Sequence, residues 1–155
     1  MVAFFLCITF GVTWWPQKYP NNEWHSRHEC KGLHLLHIAS ALNVYLDKHN
    51  DEVPDDLYDL VEENILDRYH LVCPSQYSAV KKAGFFEDDC SLFVSSYRLV
   101  IHGIKYNEIP DGTVILKELS GNHPSSKVGE ELYKSGYHGL LKKGKTFKVE
   151  FFEVK

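Results

Sequence analysis

Within thirteen residues the chain places His25, His28, Cys30, His34 and His37. Thiolate and imidazole are the ligands of a borderline metal such as zinc. On a helix Cys30 and His34 stand four residues apart, and His34 and His37 three, so each pair shares a face. Cys30, His34 and His37 are therefore the candidate metal ligands. A structural site needs a second ligand cluster, and the other histidines (His70, His102, His123 and His138) are isolated in sequence. The competing reading is a partly exposed polar edge of a helix.

The remaining thiols are Cys7, Cys73 and Cys90. None of the four forms a CxxC pair, which argues against a zinc ribbon or a thioredoxin-type site. Cys7 lies in an apolar N-terminal run, leaving Cys30, Cys73 and Cys90 as disulfide candidates outside the cytosol. Cys73 with Cys90 would close a short irregular loop. Cys30 with Cys73 would tie the start of a long helix to the end of a short one. Loop-closure entropy gives either bridge about 3 to 4 kcal/mol. The reading favours a bridge through Cys73; reduced, buried cysteines are the alternative.

Nucleophilic chemistry finds less support. Ser95-Ser96 and Ser125-Ser126 carry no elbow or lysine motif. Cys73 precedes Pro74 at a helix exit, the end whose dipole disfavours a thiolate. Glu62, Glu63 and Asp67 read as a solvated helix face. Glu118 stands inside an apolar strand, followed by Asn122-His123. A hydrogen-bonded turn explains it better than a catalytic acid, since no partner lies near it in sequence. A dispersed hydrolase site would need Glu118 to meet His123 or His102 in a pocket. No catalytic residue and no cofactor are assigned.

The elements that would position these groups follow from periodicity. Residues 2 to 15, VAFFLCITFGVTWW, are apolar and uncharged. The run is short for a spanning helix, which takes about 20 residues. It fits a signal-peptide core of about 7 to 15 residues, so residues 1–15 are read as an export signal or membrane anchor. Pro16, Pro20 and Asn21-Asn22 make residues 16–23 a linker. Residues 24–155 are read as one domain.

From Trp24 to Lys48 the pattern is helical. Leu35, Ile38, Leu42 and Tyr45 form one apolar line, and Leu33, Leu36, Ser40 and Val44 an adjoining one. The arc predicts a helix buried over much of its girth. It should stop near His49-Asn50-Asp51, because Asn and Asp favour turns. Asp55 or Asp56 then caps a second helix, DDLYDLVEENIL, with Leu57, Leu60, Val61 and Ile65 inward. Gln76 to Asp89 reads as a surface loop, Leu92 to Ile104 as a strand, and Thr113 to Leu119 as the next. Ser120 to Gly129 reads as loop. Tyr137 to Leu141 and Thr146 to Val154 flank a hairpin turn at Lys142-Lys143-Gly144-Lys145.

The fold class expected is α+β: a long N-terminal amphipathic helix and a short helix packed on an antiparallel β-sheet. The 155 residues suffice for one core, and 25% charged against 44% hydrophobic residues argues against a disordered chain. A net charge of -4 without a basic, aromatic-interleaved surface argues against nucleic acid as a partner.

The order of residues from Cys30 to Ser75 resembles the soluble head of pseudopilin-like, prepilin-type proteins of the planctomycete and verrucomicrobial kind. The resemblance rests on Cys30, Leu33, Leu36, Ile38, Ala41, Leu42, Tyr45, Asn50, Pro54, Leu57, Leu60 and Cys73-Pro74-Ser75. Further on, Ser96-Tyr97, Val114 to Glu118 and Asn122-His123 continue it, so that it covers residues 27 to 124. Met1 to Trp15 carries no basic leader or Phe-Thr-Leu-Ile-Glu-like start, and Lys143-Gly144-Lys145 stands where the family closes on an Asp-Gly-His-like turn. The resemblance implies a pilin-like, exported, non-enzymatic protein that acts through protein partners or self-assembly, linked to type II secretion or type IV pilus-like machinery. The alternative is a small envelope module that binds a metal or ligand on the same fold and no longer assembles.

Overall fold

The computed structural model describes residues 30–77, 95–119, 126–128, 131–133 and 136–153. A π-helical turn, Cys30–His34, leads into helix α1, Leu35–Lys48. Leu35, Ile38, Ala39, Ala41, Leu42 and Leu46 face the core. The second apolar line does not join them. Leu33, Leu36 and Val44 are 49%, 52% and 44% exposed, and Ser40 is exposed. The expected wide arc is thus divided, because the sheet covers one side of the helix only.

The helix ends where the turn formers stand. Asn50 and Asp51 both take left-handed backbone, with φ of 53° and 64°; short polar side chains tolerate that region better than most. The second helix, α2, is shorter than its pattern suggests and spans Tyr58–Glu62. Its N-cap position is held by Leu57 rather than by an Asp, and Asp56, one residue earlier, accepts the Tyr58 amide at 2.8 Å. Asn64 then turns left-handed, with φ of 56°, and stops it. Leu57 and Leu60 are buried, while Val61 and Ile65 pack half-buried at the core's margin. A 3₁₀ turn over Arg68–Leu71, capped by Asp67, and another over Pro74–Gln76 complete the exit from this unit.

The sheet has four strands: β1 (Tyr97–Leu99), β2 (Val114–Glu118), β5 (Gly136–Lys143) and β6 (Thr146–Glu153). All neighbours are antiparallel, in the order β1-β2-β5-β6. Between β2 and β5 the chain makes a separate two-stranded ribbon, β3 (Ser126–Val128) with β4 (Glu131–Tyr133). That ribbon falls partly in a stretch expected to be loop. The β5–β6 hairpin turns where expected, with Gly144 at φ +59°.

Of the strand expected over Leu92 to Ile104, residues 92–94 lie outside the described residues, and the described part pairs in the sheet at Tyr97–Leu99. Its later part turns away to brace the exit of α1. Val53 donates to the Ile104 carbonyl at 2.9 Å, Gly103 donates to the Val53 carbonyl at 3.0 Å, and Tyr106 donates to the Asp51 carbonyl at 2.7 Å. Leu35, Ile38, Leu42, Leu60, Leu71, Ile115, Leu116 and Leu140 make a shared core between the helices and the sheet. The architecture is α+β. Among the described residues no helix is long and apolar enough to cross a membrane. The apolar run 2–15 and the linker 16–23 lie outside the described residues.

Candidate functional site

Of the candidate metal ligands, His34 and His37 stand at the N-terminal end of α1, and His25 and His28 lie outside the described residues. The turn over Cys30–His34 delivers His34 inward at 1% exposure. Its Nδ1 lies 3.1 Å from the His70 carbonyl, which can only accept, so Nδ1 carries the proton. Nε2 then accepts from the Tyr77 hydroxyl at 2.8 Å. Burial, then the neighbouring His70 and His37, push His34 down to about 4, despite the bond to the His70 carbonyl and the pull of Glu118. At neutral pH it is an uncharged imidazole with both nitrogens engaged.

His37, three residues on, lies on the outer side of α1 and is exposed. It stacks on His70 with ring centroids 4.2 Å apart and planes 13° from parallel. Burial and then His37 lower the His70 pKa. The His70 Nδ1 is buried without a hydrogen-bond partner among the described residues. Tyr69 and Tyr77 complete the aromatic cluster at 4.8 Å from each other. His34 and His37 therefore occupy different faces, one inside and one outside. Among the described residues no group of three His, Cys, Asp or Glu side chains is placed to hold a metal. The Cys30 side chain and the whole of Cys90 lie outside the described residues, and so do the disulfide pairings that use them.

Cys73 is fully buried. Its amide donates to Ser96 Oγ at 2.8 Å, and its Sγ lies 3.1 Å from Ser75 Oγ. Ser96 also donates its amide to the Leu71 carbonyl at 2.7 Å, and its own carbonyl accepts from Leu119 at 2.8 Å. Ser95 Oγ donates to the Tyr97 carbonyl at 2.8 Å. These hydroxyls fasten the Cys-Pro segment to the start of β1 rather than standing ready as nucleophiles.

Glu118 ends β2 and is fully buried. Its Oε2 accepts the His138 amide at 3.2 Å and lies 3.6 Å from His138 Nδ1. His138 is itself buried and packs its ring 5.0 Å from Phe151. This pair is what the sequence reading missed. His138 is an inward position of β5, and the antiparallel register sets Lys117 opposite Gly139, which brings His138 to Glu118. The signal was the run His138, Leu140, Lys142 at alternate positions, with polar residues at both of its ends. His123 lies outside the described residues. His102 is 62% exposed and stands 3.9 Å from Asp55 instead.

Chemically, the site sets a buried carboxylate beside a buried imidazole, 3.6 Å apart. On the outer side of the same helix, Leu33 and Leu36 expose an apolar edge next to His37. Comparison with protein-family models, with curated proteins and with solved structures finds no match.

Proposed function

We propose that this chain is a non-enzymatic, exported, pilin-like protein that acts by assembly or surface contact, in the manner of type II secretion or type IV pilus-like components. The observation that carries the reading is the divided face of α1. One stripe is buried on the sheet, and a second, Leu33, Leu36 and Val44, remains apolar in solvent. Exposed apolar stripes that the fold does not cover mark contact surfaces. The order of the elements from Cys30 to Ser75, and the apolar run 2–15 as signal or anchor, support it further.

Fractionation and cross-linking in the native host test this. The protein should separate with the envelope or the medium, and in-cell cross-linking should yield defined multimers. Leu36→Asp should remove those multimers while leaving the melting temperature within a few degrees of the parent, because the position is exposed. A purely cytosolic protein would sink the proposal.

A further inference from the structure

A second feature lies at the opposite end of α1 and does not depend on how the chain assembles. Lys142 is an inward residue of β5 and only 8% exposed. Its ammonium donates to the Ile109 carbonyl and lies 4.9 Å over the Tyr106 ring. No carboxylate lies within 4 Å of it among the described residues. A buried cation is ordinarily paired with an acid, because desolvating it alone is costly. Lys142 borders a cleft of about 350 Å³, whose rim also carries Lys145, Asp47, Asp51, Asn43 and Asn107.

The charges in this cleft are separated by element. Asp47 in the last turn of α1 and Asp51 in its left-handed exit turn make an acidic wall. The negative end of the helix dipole strengthens it. Lys142 and Lys145 on the β5–β6 hairpin make a basic wall. None of these four groups forms an ion pair with another. Both walls therefore keep their charge for whatever enters, and the two asparagine amides add neutral donors and acceptors. The volume lies at the lower end of small-molecule sites, about 300 to 1,000 Å³.

We propose that this cleft binds a small zwitterion of the α-amino acid or dipeptide class. Its carboxylate meets Lys142 and Lys145, and its ammonium meets Asp47 and Asp51. A simple anion would leave the acidic wall unmatched and repelled. A simple cation would do the same at the hairpin. A dipolar ligand satisfies both at once, and its apolar middle can rest on Leu46 and Tyr106.

Titration of the full chain followed by amide chemical shifts tests this, with glycylglycine, sodium acetate and ethylammonium chloride as separate probes. Glycylglycine should give saturable shifts at Asp47, Asp51, Lys142 and Lys145, with a Kd near about 1 mM or tighter. Acetate and ethylammonium should each bind at least tenfold more weakly. Lys142→Met should lower glycylglycine affinity tenfold or more. The exposed variants Lys145→Met and Asp51→Asn should each lower it at least threefold, and they keep the test sound if the buried substitution unfolds the protein. Failure of glycylglycine to saturate overturns the proposal. So does equal binding of acetate or ethylammonium, or affinity that survives both exposed substitutions unchanged.

Discussion

His34 is the residue whose protonation the fold resists most plainly. Its folded pKa of about 4 lies below the ordinary 6.5, with burial as the chief cause. Between those values the unfolded chain binds a proton that the folded chain refuses, so stability rises with pH across that window. The contribution is complete above about pH 6.5 and is lost as pH falls towards 4. Its ceiling is about 3 kcal/mol. Urea denaturation at pH 4.5 and 7.5 should show the midpoint falling on acidification, and His34→Phe should flatten that difference while lowering stability at pH 7.5. A parent midpoint unmoved between the two pH values would contradict the buried neutral imidazole. Glu118 makes a second case at this scale. Glu118→Ala strips the His138 amide of its acceptor in a buried site, a loss of about 1 to 3 kcal/mol, while Glu118→Gln retains a carbonyl for that amide and should cost less; thermal melts of the two variants would rank them. The acid was conspicuous in the sequence because it interrupts an apolar strand. Its partner was not, because His138 is twenty residues away and only strand register joins them.

At the scale of the element, α1 was legible in part. The three- and four-residue spacing placed the end of the helix at Lys48 and its inward line through Leu35, Ile38 and Leu42, while Tyr45, expected on that line, is half-buried and the start expected at Trp24 lies outside the described residues. Spacing alone could not tell that Leu33, Leu36 and Val44 would stay in solvent, because periodicity reports an apolar arc but not how much of it a neighbour covers. The two lines should separate cleanly by mutation. Leu42→Ala removes a side chain from a closed core and should cost about 2 to 5 kcal/mol. Leu36→Ala should stay within about 0.5 kcal/mol, and chemical denaturation of both would check it. The stretch from Leu92 to Ile104 shows a different limit. Its β-branched and aromatic residues suit a strand, yet Gly103 and Ile104 bond to Val53 rather than to the sheet. Local propensity does not know of that competing partner. The β3–β4 ribbon escaped notice because its sequence, SKVGEELY, lacks a clear apolar alternation.

For the whole molecule, the order helix, short helix, strands was enough to predict an α+β domain. What it could not supply was the division of polar groups between the two ends of α1, because both groupings are assembled from segments distant in sequence. At one end sit His34, Tyr77 and His70, with Glu118 close enough to act on His34. At the other sit Lys142, Tyr106 and the Asp51 turn. Between them runs the apolar layer of Ile38, Leu42, Ile115, Leu116 and Leu140. This arrangement makes a prediction about cooperativity. A continuous apolar layer should open as one unit, whereas its polar ends and the sheet's outer strand should open more cheaply. Strand β6 has a neighbour on one side only among the described strands, and its residues are exposed or half-buried throughout. In native-state hydrogen exchange, the amides of Leu42, Leu46 and Leu140 should therefore share one opening free energy equal to that of global unfolding. The outward-facing amides of β6 should exchange at least tenfold faster. Separate opening energies for Leu42 and Leu140 would show that helix and sheet do not form a single cooperative core, and a protected outer edge on β6 would show that a further strand or a second copy covers it in solution.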